Sequence, residues 1–137
     1  MLNQLDRTAV LTGTIWCLAL AAPAAIVAAI LFDDGGGSEQ SNWVFVAFLV
    51  IVFAYLVGGA QAGRRVPSYP FLNGAAAPLL AFVVVQAIGI IRRLAADESI
   101  SIEGLVFNAL LAPSIGIVGA WFGVRRAAAK DQAADAA

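Results

Sequence analysis

Few side chains in this 137-residue sequence have the type and spacing to do chemistry. The most suggestive lie in two glycine-rich runs that end in paired arginines: Gly58-Gly59-Ala60-Gln61-Ala62-Gly63-Arg64-Arg65 and Gly119-Ala120-Trp121-Phe122-Gly123-Val124-Arg125-Arg126. Glycines followed by guanidinium groups suggest anion binding. A third stretch, Asp33-Asp34-Gly35-Gly36-Gly37, has the look of a calcium loop or a phosphate cradle. The alternating ligand spacing of a calcium loop is missing, however, and no lysine follows the glycines, so a solvated turn is the expected reading. Three carboxamides, Gln61, Gln86 and Asn108, stand inside otherwise apolar runs. They would serve either as polar lining of a substrate path or as structural hydrogen-bonding groups. Polar groups in hydrocarbon must find partners whatever the function, which favours the structural use.

The missing residue types restrict mechanism further. The sequence contains no histidine, which excludes imidazole haem ligation, a serine–histidine pair and a histidine metal site. Cys17 is the one cysteine, so no disulfide forms within the chain, and Gly13-Thr14-Ile15-Trp16 before it does not form a lipoprotein cleavage box. It reads as a small buried apolar residue. No carboxylate falls inside an apolar run, which removes an intramembrane aspartyl dyad and the acidic residue on which proton-coupled transporters rely. No catalytic, cofactor-binding or metal-ligating residue is therefore expected, and the chain does not read as an enzyme.

The elements that must position these residues are set by composition. With 61% hydrophobic residues, 12% charged residues and a mean hydropathy of +0.88, the chain is far more apolar than a soluble domain, which carries about a quarter charged residues. Seventeen charges cannot clothe a water-soluble exterior, and all of them fall in ends and connections. The chain should therefore be an all-α membrane protein, with four transmembrane helices in one bundle over residues 9–32, 43–62, 71–91 and 102–124. Ala19-Leu20-Ala21 resembles a signal-peptide cleavage site, but the apolar run continues well past it, so a membrane anchor is expected. Pro23 should bend the first helix without ending it, Ser41 or Asn42 can cap the second, and Pro67 and Pro70 forbid a helix across the second connection. Residues 33–42 form a flexible acidic link, and Trp43 sits where an interfacial aromatic belongs. Residues 125–137 form a flexible, alanine-rich tail, expected as a frayed helical extension.

A cytoplasmic N-terminus places six basic residues inside (Arg7, Arg64, Arg65, Arg125, Arg126 and Lys130) against two outside, Arg92 and Arg93. The positive-inside rule thus puts both termini in the cytoplasm of a multi-pass plasma-membrane protein, with the four paired arginines as topology anchors. Ala21-Ala22-Pro23-Ala24 resembles Ala76-Ala77-Pro78-Leu79, and Gly59, Gly63, Arg64 and Arg65 resemble Gly119, Gly123, Arg125 and Arg126. Two tandem helical hairpins related by an axis along the membrane normal would explain this; coincidence among common residues is the alternative.

Between lipid-embedded helices, apolar burial contributes little, so close contact through small residues must do the work. Gly59-x-x-x-Gly63, Ala112-x-x-x-Gly116-x-x-x-Ala120 and Gly119-x-x-x-Gly123 supply the packing faces, within the chain or against another one. Gln86 and Asn108 lie at matching depth, about 8 to 9 Å below the outer surface at about 1.5 Å per residue, and are expected to hydrogen-bond across the second hairpin. Gln61, near the inner surface, is expected to meet Thr8 or Thr12.

The run Gly58 to Arg65, followed by a short proline-bearing loop and Asn73-Gly74-Ala75-Ala76, resembles small four-helix bacterial membrane proteins in which a Gly-Gly-x-x-Ala-Gly-Arg helix end precedes a His-Gly or Asn-Gly helix start. The resemblance covers about thirty residues and implies an integral membrane protein without implying an activity. An alanine and arginine bias with little lysine fits a high-GC bacterium. Three roles follow as expectations. The first is a structural or accessory subunit contacting other membrane chains or itself. The second is a small oligomeric transporter or channel. The third is a lipid-contacting regulator that uses its inner arginines, each worth about 1 kcal/mol near an anionic surface. In size the chain resembles small multidrug transporters, but the glutamate those carry in the first helix has no counterpart over 9–32. The bilayer is the expected surrounding; no cofactor and no nucleic-acid partner is expected.

Overall fold

The computed structural model describes residues 4–33, 38–66, 68–97 and 100–135. They form an all-α bundle of four helices, α1 (Arg7–Asp33), α2 (Ser38–Gly63), α3 (Pro70–Ala95) and α4 (Ile102–Asp135). Each is long and apolar enough to cross a membrane. The link expected over 33–42 falls outside the described residues at 34–37, as do Pro67 and Glu98.

Helix starts follow local capping chemistry. Asp6 caps α1, its Oδ1 accepting the Ala9 N–H at 2.8 Å while its carbonyl accepts from Val10. Ser101 caps α4 in the same way, its Oγ accepting the Gly104 N–H at 3.2 Å. Pro70 opens α3 in the first turn, as its missing N–H and fixed φ favour. Arg92 and Arg93 in the last turn of α3 complement its negative end, and Asp97 just beyond takes a left-handed φ of 54°. α2 begins at Ser38, so Ser41 and Asn42 lie inside the helix and do not cap it. α4 runs through Arg125 and the alanine-rich segment to Asp135 as one exposed helix.

Helices α2 and α3 form the centre: each touches all three others, while α1 and α4 flank them and barely meet. The interior is built of small residues. Ala54, Ala62, Ala77, Ala112 and Ala120 are fully buried, whereas Ile15, Ile26, Trp43, Phe45, Ile88 and Leu110 point outward. This distribution inverts that of a water-soluble bundle and suits helices whose surroundings are as apolar as their side chains.

The two hairpins pack alike. In the α1/α2 hairpin a Cβ added at Gly13 would meet Gly58 O and Ala62 Cβ, and one at Gly58 would meet Cys17 Cβ. In the α3/α4 hairpin a Cβ at Gly74 would meet Ala120 Cβ, and one at Gly116 would meet Gly74 O and the Pro78 ring. Gly13 and Cys17 thus play against Gly58 and Ala62 the parts that Gly74 and Pro78 play against Gly116 and Ala120. The proline resemblance in the sequence is not this equivalence: Pro78 is fully buried in the notch, while Pro23 is exposed. The helices also depart from a closed two-fold arrangement, because α2 meets α3 but α1 has no such contact with α4.

Candidate functional site

Two regions of unlike construction divide the bundle along its length. At the end carrying both termini the helices are locked backbone to backbone. A methyl group on Gly59 would run into the Gly116 backbone, and one on Gly63 would lie 2.6 Å from Ala120 Cβ. Reciprocally, methyl groups on Gly119 and Gly123 would run into the backbones of Leu56 and Ala60. The packing residues expected from sequence, Gly59, Gly63, Gly116, Gly119 and Gly123, therefore all meet within the chain. Exchanging each residue with the one sixty positions away maps the Gly59–Gly116 contact onto Gly119–Leu56, and Gly63–Ala120 onto Gly123–Ala60. The α2/α4 contact is thus locally two-fold although the whole bundle is not.

A polar node closes the same end. Asn73 is fully buried, its Oδ1 accepting the Asp6 N–H and its Nδ2 donating to Tyr69 O, both at 2.9 Å. Thr14, also buried, donates to Val10 O at 2.8 Å and reaches Ala77 O of α3 at 3.1 Å. Sequence reasoning noted Asn73 as part of a helix start and missed that it ties two helices together. The available signal was the four-residue spacing of Gly74 and Pro78, which repeats the notch of Gly116 and Ala120 and places Asn73 beside it. Gln61 does not meet Thr8 or Thr12. Thr12 donates to Thr8 O of its own helix, and Gln61 Oε1 is buried without a hydrogen-bond partner. Threonine hydroxyls reach the carbonyl four residues back at little conformational cost, so Thr12 satisfies its donor without Gln61. Arg64, Arg65 and Arg126 are exposed at this end, and the Arg125 guanidinium stacks over Trp121, 3.9 Å from the ring centre.

The middle of the bundle is closed by a cluster that includes Cys17, Ala21, Ala54, Tyr55 and Phe82. Beyond it, toward the hairpin turns, the helices part around two cavities. One, of about 270 Å³, lies between α3 and α4 and is lined by Gln86, Arg93, Ser101 and Asn108 among apolar residues. The other, of about 310 Å³, lies between α1 and α3 and is lined by Ala22, Ala25, Ile26, Ile30, Ile88 and Arg92. Val85 and Gly89 wall both. Gln86 and Asn108 both line this cavity, but they are not bonded to each other. Asn108 Nδ2 donates to Gly104 O on its own helix at 2.9 Å, so the two carboxamides face a shared cavity instead.

Among the described residues no three metal-ligating side chains gather. The geometry offers a close-packed end, a plug of small residues with Tyr55 and Phe82, and a donor-lined cavity next to an apolar one. Comparison with known proteins found no matching protein family, curated protein or solved structure.

Proposed function

We infer that the chain is a non-enzymatic integral protein of the plasma membrane, a structural or accessory subunit of a larger membrane assembly, with both termini in the cytoplasm. The observation that carries this reading is the interlock of α2 with α4. A transporter that alternates access must part its halves on each side in turn. Here the two hairpins are joined at one end by backbone contacts that leave no room for a methyl group, so the bundle behaves as one rigid piece. The residues of the bacterial four-helix resemblance fit the same reading, since Gly58, Gly59, Gly63, Asn73 and Gly74 all lie buried in that locked end.

Purification from native membranes in mild detergent, with mass measurement, tests the role. A complex of fixed stoichiometry that reassembles from its separately purified components is expected; a chain that remains monomeric and partnerless at all concentrations would overturn the subunit reading. Orientation has its own test. Changing Arg64, Arg65, Arg125 and Arg126 to glutamine leaves two basic residues at each end and removes the positive-inside bias. Mixed or inverted topology is expected, read by labelling of cysteines placed at the two ends. Unchanged topology would mean that the arginines have another task. A lipid-contacting role is a second reading, and the paired cavities at the hairpin-turn end favour it.

A further inference from the structure

Gly89 differs from the glycines of the locked end. A Cβ built there would approach only Gln86 Oε1, 4.0 Å away on its own helix, and among the described residues none of another helix comes within that distance. Glycine within a helix is less stable than alanine there, and among the described residues no helix contact at this position offsets that cost. A glycine without a packing partner fits a backbone that a ligand must approach closely.

The surroundings of Gly89 indicate the ligand. On the α4 side the cavity is rich in donors. Arg93 brings a guanidinium, and Ser101 Oγ already accepts from Gly104 N, which leaves its hydroxyl proton free to donate. Gln86 also faces this cavity, and in hydrocarbon its carboxamide needs a hydrogen-bond partner. Arg93 and Ser101 lie near the hairpin turn, and Gln86 lies two turns deeper, at about 10 Å along the axis. On the α1 side, across the shared Val85 and Gly89, the second cavity is apolar along most of its wall. Phosphodiester oxygens match the guanidinium and hydroxyl at the mouth, an ester carbonyl matches the deeper amide, and an acyl chain matches the apolar groove.

We propose that the two cavities that share Val85 and Gly89 as their wall hold one glycerophospholipid of the leaflet at the hairpin-turn end. Arg93 and Ser101 bind its phosphodiester, Gln86 donates to an acyl ester carbonyl, and one acyl chain lies over Gly89 between α1 and α3. This rests on the chain lying in a bilayer and not on its being a subunit of an assembly.

The test uses the full chain purified in mild detergent, with dioleoylphosphatidylglycerol added and retained lipid counted by native mass spectrometry. The wild type is expected to keep one lipid per chain. Gly89→Leu, which puts a side chain on the wall that the two cavities share, and Arg93→Gln, which removes the charge, are each expected to lower retention about tenfold. Gly89→Leu should melt no lower than the wild type, and Arg64→Gln at the opposite end should retain lipid normally. Excess inorganic phosphate should not displace the lipid, because the acyl chain holds it. Undiminished retention in both Gly89→Leu and Arg93→Gln, equal loss in Arg64→Gln, or displacement by phosphate would each overturn the proposal. A chain that stays soluble without detergent would instead refute the membrane reading on which it rests.

Discussion

Gly116→Leu is expected to unfold the bundle. Gly116 stands where three helices meet: its own α4 backbone blocks any side chain on Gly59 of α2, and a Cβ on it would strike Gly74 O and the Pro78 ring of α3. Inserting side-chain volume into an ordinary packed core costs about 1–3 kcal/mol, because neighbours shift and rotamers strain. Here the obstacles are the Gly74 backbone and the buried Pro78 ring of α3, which yield only if the helices separate. The expected loss is therefore about 3 kcal/mol or more, seen as a melting transition in detergent that drops sharply or disappears. Leucine is a better helix former than glycine by about 1 kcal/mol, so helix propensity works against the predicted result and cannot produce it. Gly116→Ala should fall in between. Gly89→Ala and Gly104→Ala, where an added methyl meets no other helix among the described residues, should leave the melting temperature unchanged or higher. A Gly116→Leu protein that melts like the wild type would mean that α2, α3 and α4 do not meet at this residue.

The number and nature of the helices are legible in the sequence because apolar runs of this length with charges only at their ends have one hydrogen-bonding solution. Their ends are less legible. Hydropathy marks where the chain stops being apolar, while backbone hydrogen bonding continues as long as nothing breaks it. Thus α3 passes 91 to reach Ala95, and α4 passes Val124 through Ala127, Ala128 and Ala129, which favour helix strongly. The small-residue faces are legible as faces, but their partners are not. Gly58 and Gly59 are adjacent in sequence, yet Gly58 packs on Cys17 of α1 and Gly59 on Gly116 of α4, a division set by the 100° turn between neighbours on a helix. The carboxamides show the same limit. Spacing places Gln86 and Asn108 at one height but says little about rotation, and Asn108 satisfies its amide one turn back on its own helix. The glycine at 89 looks like any other in the sequence; only the surrounding helices reveal that no described residue of another helix packs on it.

Asn73→Leu is expected to have the second-largest effect, and its mechanism differs from that of the glycines. Asn73 Oδ1 holds the backbone N–H of Asp6, and Asp6 Oδ1 in turn caps α1 at Ala9. The amide of one buried residue on α3 thereby fixes where α1 begins. Leucine removes the acceptor for the part-buried Asp6 N–H and one of the two donors to Tyr69 O, which keeps its bond from the Asn73 N–H, at a cost of about 1 kcal/mol or more. Asn73→Asp keeps the acceptor but sets a carboxylate oxygen against Tyr69 O in a fully buried place, so it should be no milder than leucine. Asp6→Ala, by contrast, leaves the Asp6 N–H bonded to Asn73 and loses only the cap, about 1 kcal/mol. The ordering separates a node between helices from two independent local bonds. If Asn73 holds the start of α1 in place, Asp6→Ala should cost less in an Asn73→Leu background than alone, because the cap then belongs to a helix end already loosened. Melting of the two single variants and the double variant in detergent measures that coupling. Strict additivity would show that Asn73 serves only its own helix, and that α1 is held at this end by Thr14 and the glycine notch alone.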